Sequence, residues 1–331
     1  MGVGRPRKSV GRPRLRRDFM RKAMLLYNPL SGRSLERRLA DVQSALSVLQ
    51  NAGIEASAAP TRAASGATEQ ATQAIAEGCD TIFACGGDGT VHDVLQGVVG
   101  TKVALAIIPL GTANCLAHDL RLPLSPVKAA SAALTGKFRR IAVGRIEYQD
   151  FNGGKATRYF SFIVGIGMDA HLFYKLDPLI KRRFGTAAYC AKATHLWLTH
   201  KMKDFVVEIA REEQAEVSQL LAVRIGNFGG VLRELAPGAS LEREDLRLVL
   251  FRTHSRVAYL RYILRGLFGT NWEVPGIELV HSTGVTCRDL TSTADSPGHS
   301  RIFVEADGEL LGTLPAEISV VPDAVTLLVP D

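Results

Sequence analysis

The stretch Phe83-Ala84-Cys85-Gly86-Gly87-Asp88-Gly89-Thr90-Val91-His92-Asp93-Val94 reads FACGGDGTVHDV and sets an acid among three glycines. The run 81–85 is apolar and of strand length, while 91–99 has helical spacing, so the glycines join a strand to a helix. Such a junction is suited to phosphate: glycine lets the backbone approach a ligand, and the first N–H groups of a helix attract anions. The loop has neither the GK[ST] ending of a Walker loop nor the GxGxxG spacing of a dinucleotide fold. A carboxylate facing a polyphosphate is repelled unless a divalent cation or ordered water lies between them, so Asp88 predicts Mg²⁺. Taken alone, an Asp-Gly pair more often stabilises its own turn through backbone bonds.

The same strand–loop–helix pattern occurs on both sides of that stretch. The run 23–27 reads as a strand ending in Asn28-Pro29-Leu30-Ser31-Gly32-Arg33, followed by helical spacing of Leu35, Leu39, Val42, Leu46 and Leu49. A strand at 54–60 and a helix at 66–77 follow, and a strand at 103–108 leads through Pro109-Leu110-Gly111-Thr112-Ala113-Asn114 into a helix from Cys115. Strands alternating with helices predict a mostly parallel sheet covered on both faces, with ligands at the carboxyl ends of its strands. Three small-residue loops on one sheet edge point to a nucleotide site. From about 141 the texture becomes strand-rich, at 158–164, 204–210, 220–225 and 246–251, with helical stretches at 178–197 and 254–268. The expected organisation is a basic tail over 1–22, an α/β domain over 23–141 and a β-sandwich over 142–311, with 312–331 returning to the first domain.

Of the 40 Lys and Arg and 33 Asp and Glu, residues 1–22 hold nine bases and one acid, so the remainder carries 31 against 32 and is close to neutral. The tail contains GRPR twice, a pattern that can enter an A·T-rich minor groove, but so dense a Gly, Pro and Arg composition is more commonly a solvated tail. No specific nucleic-acid partner is expected. Five scattered cysteines without a CxxC pair indicate neither a disulfide framework nor a zinc site and fit a reducing, cytoplasmic setting. His195 and His200 lack zinc-motif spacing, and no GxSxG elbow is present.

NPLSG at 28–32, GGDGTVHDV at 86–94, PLGTANCLA at 109–117, VGIGMDA at 164–170, LAPGASL at 235–241 and ADGELLG at 306–312 occur in an order that resembles the diacylglycerol kinase catalytic-domain family, which is similar to sphingosine and ceramide kinases. The resemblance implies a nucleotide-binding α/β domain like that of phosphofructokinases and NAD kinases, a C-terminal β-sandwich, and ATP- and Mg²⁺-dependent phosphorylation of a lipid hydroxyl. It places ATP against Asn28, Pro29, Ser31, Gly32, Arg33, Thr61, Gly86, Gly87, Asp88, Gly89, Thr90, Gly111, Thr112 and Asn114, with Asp88 meeting the nucleotide's Mg²⁺ directly or through water. In Phe303-Val304-Glu305-Ala306-Asp307-Gly308-Glu309, an ordinary Asp-Gly hairpin by sequence, it implies Glu309 as proton acceptor with Asp307 as its orienting partner.

Two positions depart from the family pattern. Cys115 stands where relatives carry an Asp of the magnesium network, and Arg243, in Leu241-Glu242-Arg243-Glu244-Asp245, replaces an Asp that holds a structural magnesium. The expected partners are the nucleotide and a lipid at the membrane surface, the protein being peripherally attached, with a homodimer as the assembly considered. Lys181-Arg182-Arg183-Phe184 and the mixed basic and apolar run 256–268 are the stretches able to meet a bilayer, although such a run is more often a helix packed on the sandwich with solvated arginines. The competing functions are an NAD-kinase-like kinase of a soluble acceptor and a silent lipid- or nucleic-acid-binding relative.

Overall fold

The computed structural model describes residues 20–29, 35–62, 66–168, 170, 195, 198–199, 201–209, 213–229, 234–268, 273–290 and 301–330. The tail at 1–19, Ser31, Gly32 and Arg33 of the first loop, Lys181 to Phe184, and most of the helix expected over 178–197 lie outside the described residues.

Strands β1 (Lys22–Tyr27), β2 (Glu55–Pro60), β3 (Thr81–Gly86) and β4 (Ala104–Pro109) run parallel in the order β2-β1-β3-β4. Between and after them come helices α1 (Leu35–Asn51), α2 (Gly66–Ala76), α3 (Asp88–Val98), α4 (Cys115–Asp119) and α5 (Pro126–Thr135). Side chains of a strand alternate between faces, and β3 divides accordingly. Ile82 and Ala84 pack with Ala67, Ala71, Val94 and Leu95 of α2 and α3. Phe83 and Cys85 pack with Val42, Ala45, Leu49 and Ala129 of α1 and α5. Every residue of β3 and β4 is buried, as strands covered on both faces must be.

The β-rich part contains β5 (Lys137–Gln149), β6 (Lys155–Phe160), β7 (Ile163–Gly167), β8 (Phe205–Ile209), β9 (Glu213–Val217), β10 (Gln219–Val223) and β11 (Leu246–Phe251). It continues through helix α6 (Arg256–Phe268) and strands β12 (Ile277–Ser282), β13 (Gly284–Asp289), β14 (Phe303–Ala306) and β15 (Glu309–Val329). One arm runs β12-β11-β10-β7-β14, the other joins β6, β5, β13, β8 and β9, and both meet on β15. Between the arms Ile146, Phe160, Val164, Ile166, Phe205, Val207, Leu220, Leu248 and Ile318 form the sandwich core. β15 is the spine of the molecule. Its start pairs with β14, its middle with β13 and β5, and its end lies parallel to β4 through Thr326↔Ala104 and Leu327↔Leu105.

Two local readings change. The run 158–164 is not one strand: β6 and β7 part at Ser161-Phe162, whose amides turn onto the Asp307 carboxylate instead of joining a ladder. The helix expected from 91 begins at Asp88, because Gly87 is extended and acts as its N-cap. The two parts are joined at the site's flank by side chains. Gln96 of α3 exchanges bonds of 2.8 and 2.9 Å with the backbone of Tyr159, and Asp119 of α4 accepts the amides of Gly226 and Asn227 at 3.0 and 2.9 Å.

Candidate active site

Loops after β1, β3 and β4 meet on the carboxyl edge of the parallel sheet, and the β14–β15 hairpin reaches the same place. Asn28 and Pro29 are half-buried at the end of β1, where Tyr27 O accepts the amide of Thr61 at 2.8 Å. The second and third loops touch backbone to backbone. Gly86 O accepts the amide of Leu110 at 2.8 Å, and a Cβ on Gly87 would lie 3.1 Å from the Gly111 Cα. A Cβ on Gly86 would overlap the buried Thr90 side chain, so that glycine is needed for packing. In α3 the first intrahelical donor is Val91, to Gly87 O, which leaves the amides of Asp88, Gly89 and Thr90 ahead of the helix ladder. They form the anion-facing end of the helix.

Asn114 holds the third loop. It is buried in the left-handed region at φ 53°, its Oδ1 accepts Gly111 N at 2.9 Å, and its Nδ2 donates to Gly111 O at 3.0 Å. Thr112 is exposed on that loop. Asp88 reaches across to it, its Oδ1 accepting the backbone amide of Cys115 at 2.7 Å. Position 115 therefore serves Asp88 through its backbone. Burial, with Asp88 and Asp307 nearby, pushes the Cys115 thiol up to about 12, so the side chain is neutral. Asp88 itself is shifted upward by burial, with the Asp307 charge adding to it against the Cys115 and Asn114 amides.

The hairpin turns on Asp307 and Gly308, both at positive φ (51° and 84°), as a two-residue type I′ turn requires. The ordinary hairpin read from the sequence is therefore present. Asp307 is buried and its carboxylate accepts Ser161 N (2.7 Å), Ser161 Oγ (3.0 Å), Phe162 N (3.0 Å) and Ile163 N (3.0 Å). It also meets Nδ1 of the fully buried His92 at 3.3 Å. The other imidazole nitrogen, Nε2, has no hydrogen-bond partner and lies 3.9 Å from Glu309 Oε2. Glu309 closes the group against the start of α3, since a Cβ on Gly89 would lie 3.1 Å from its Oε1. Burial raises the Glu309 acid; His92 and Arg158 oppose that shift, while Asp93 and Asp307 add to it. Burial alone would depress His92, but the bond to Asp307 and the charges of Asp307, Glu309 and Asp93 hold it above an ordinary imidazole.

The structure brings Asp88, Asp307 and Glu309 together with the second and third loops. His92, inside FACGGDGTVHDV itself, was missed by the sequence reading, because a histidine one helical turn past Asp88 resembles a core residue and its partner is 215 positions away. Arg38 was missed too. It is buried on α1, and its Nη2 donates to Leu110 O at 2.9 Å, fixing the entry to the third loop.

Among the described residues no three His, Cys, Asp or Glu side chains converge to hold a metal ion by themselves. Mg²⁺ at phosphates commonly takes one or two carboxylates, with phosphate oxygens and water completing its shell. Asp88 fits that half-site, its carboxylate lying beside the helix start with its acid raised by burial. At Arg243 the second departure from the family pattern also has a structure. Its guanidinium pairs with both oxygens of Asp245, and the fully buried Arg224 donates to the carbonyls of Arg243 (2.8 Å), Asp245 (2.6 Å) and Ala142 (2.8 Å). Burial pulls the Arg224 guanidinium down to about 10. Among the described residues no helix is long and apolar enough to cross a membrane.

Known proteins match this chain over nearly its whole length. Residues 22–146 match the family model of the diacylglycerol kinase catalytic domain, and residues 162–329 match that of the YegS C-terminal NAD kinase beta sandwich-like domain. A diacylglycerol kinase of Mycobacterium tuberculosis (strain CDC 1551 / Oshkosh) is 31% identical over 320 residues, 96% of this chain and 97% of its own. That of Bacillus subtilis (strain 168) is 28% identical over 303 residues, 90% and 93% of the two chains. A crystal structure of a diacylglycerol kinase from Bacillus anthracis str. Sterne superposes with a TM-score of 0.68 at 19% identity, over 94% of this chain and 97% of that one. Yeast NADH kinase complexed with NADH shares the fold more distantly, with a TM-score of 0.53 at 10% identity, over 94% and 84% of the chains. With its α/β half and its sandwich half each matched, and a relative above 30% identity along almost its entire length, the chain belongs to the diacylglycerol kinase catalytic-domain family and is a phosphotransferase with an alcohol group as acceptor.

Proposed function

We propose that this chain transfers the γ-phosphate of ATP to the hydroxyl of a lipid, diacylglycerol or a ceramide- or sphingoid-type lipid, in a Mg²⁺-dependent reaction, as a cytoplasmic protein peripherally attached to the membrane. The observation that carries this reading is the approach of Glu309, from the sandwich hairpin, to Gly89 in the first turn of α3. A carboxylate base then stands beside the helix end suited to a phosphate. The nucleotide lies on the loops of the α/β half, against Asn28, Pro29, Ser31, Gly32, Arg33, Thr61, the 86–90 loop, Gly111, Thr112 and Asn114. Mg²⁺, held through Asp88 and the phosphates, supplies charge neutralisation during transfer.

Glu309 takes the proton of the acceptor hydroxyl as that oxygen bonds to the γ-phosphorus; the bond to the β-phosphate oxygen breaks and ADP leaves. Asp307, saturated with backbone donors, fixes His92, and His92 presents Nε2 to Glu309. A positive imidazole there favours the ionised, basic form of Glu309.

The test is transfer of labelled phosphate from ATP with Mg²⁺ to diacylglycerol, ceramide, sphingosine and NAD offered in parallel. Label in a lipid, lowered at least about a hundredfold by Glu309→Ala, is the expected result. Label in NAD alone selects the soluble-acceptor reading, and none in any acceptor from folded protein removes the kinase reading.

A further inference from the structure

α6 has two apolar faces. Ala258, Tyr259, Tyr262 and Gly266 are buried against β11, with the Phe251 ring 4.5 Å from Tyr259 and 5.3 Å from Tyr262, centroid to centroid. Tyr259 Oη and Ser218 Oγ lie 2.9 Å apart, and Tyr262 Oη donates to Leu235 O at 2.6 Å, so this face is fixed. At about 100° per residue, Val257, Leu260, Leu264, Leu267 and Phe268 centre on the opposite side. Val257, Leu260, Ile263 and Phe268 are 67%, 45%, 41% and 70% exposed. Four of the twelve exposed large hydrophobic side chains among the described residues thus sit on one helix of 13 residues, which is a patch and not the usual scatter.

Arg256 and Arg261 flank that strip, while Arg265 turns inward with its guanidinium 5.3 Å from the Tyr262 ring centroid. Arg256, Arg261 and Arg265 are its charged side chains, and RVAYLRYILRGLF has no acid. An apolar strip bordered by guanidinium groups matches the boundary between headgroups and acyl chains of an anionic bilayer. A second copy of the chain fits less well, because a two-fold contact places the patch on itself and brings these arginines together.

We infer that the outer face of α6 docks on an anionic phospholipid surface, inserting Val257, Leu260, Leu264 and Phe268 while Arg256 and Arg261 on its flanks meet lipid phosphates. The choice of occupant rests on the lipid-acceptor reading. The sequence alternatives for 256–268 then become two sides of one helix: its inner face packs on the sandwich and its outer face meets lipid.

The experiment compares the full chain with Leu260→Ser/Phe268→Ser and with Arg261→Glu, by co-sedimentation with phosphatidylglycerol vesicles, with phosphatidylcholine vesicles, and by light scattering without lipid. The expected result is binding to phosphatidylglycerol vesicles that falls at least about tenfold in each variant and weakens with salt. Turnover on detergent-dispersed diacylglycerol should remain unchanged in both variants. Unaltered vesicle binding in both variants overturns the inference, and so does a wild-type dimer that the double variant converts to monomer. Because vesicle binding is read without turnover, intact lipid docking with no phosphate transfer removes the kinase reading and leaves this surface standing.

Discussion

Asp88 and Asp307 are both aspartates followed by glycine at a tight turn, yet their surroundings give them different work. Asp307 is buried, with four donors from Ser161, Phe162 and Ile163 on its carboxylate and His92 beside them. That carboxylate is consumed by the fold; it anchors the β6–β7 turn and orients a side chain. Asp88 is half-buried, is met by the Cys115, Asn114 and its own backbone amides, and still has its acid raised by burial and by the Asp307 charge. Burial thus disfavours its negative charge, as the proposed function expects of a group that meets a ligand's cation. The lesson is that the surroundings of a carboxylate distinguish two positions where the sequence shows only Asp-Gly twice.

Two substitutions test that separation. Asp88→Asn keeps an oxygen for the Cys115 amide but removes the charge, so kcat should fall about a hundredfold or more while the melting temperature holds or rises. A large drop in melting temperature would make Asp88 an anchor as well. Asp307→Ala should show the reverse emphasis. It strands the Ser161, Phe162 and Ile163 donors, at a cost of about 3 kcal/mol, so the melting temperature should fall by several degrees. Turnover of the still-folded protein should drop some tens of times, because His92 loses its orienting partner. If Asp307→Ala were as stable as the parent, the carboxylate would not be the anchor its donors imply.

How far the sequence revealed this follows from which interactions are local. The glycine loops, the alternating strands and the change of texture near 141 depend on residues a few positions apart, and they are read from spacing. Contacts spanning the two parts carry no such signal. His92 needs Asp307, and Arg224 on β10's exit closes the turn at 243–245 while reaching Ala142 on β5. The single strand expected over 158–164 failed for the same reason: residues of high strand propensity are interrupted by a carboxylate that arrives from position 307. The Cys115 departure was read from its side chain, but the structure uses its amide, which every residue except proline would supply.

The smallest expected effect is also the most specific to the arrangement. Glu309 accepts a proton only when ionised, and burial raises its acid above the ordinary 4.5, so kcat should lose its acid limb at a pH above the usual carboxylate range. His92 lies 3.9 Å from Glu309 and, when protonated, works against that shift. His92→Asn removes the cation, so the limb should move to still higher pH. At neutral pH turnover should fall about tenfold and recover as pH rises, the separation expected when a neighbour tunes a general base instead of performing the chemistry. The stability profile supplies an independent check on the sign. His92 is held above its ordinary 6.5 in the folded state, so its contribution is fully present below that value and is lost as pH rises through the folded one. The parent's advantage in melting temperature over His92→Asn should therefore shrink from acid to alkaline pH. Parallel rate profiles for parent and variant would show that His92 only fills space, and Asp307 would then act on the fold alone.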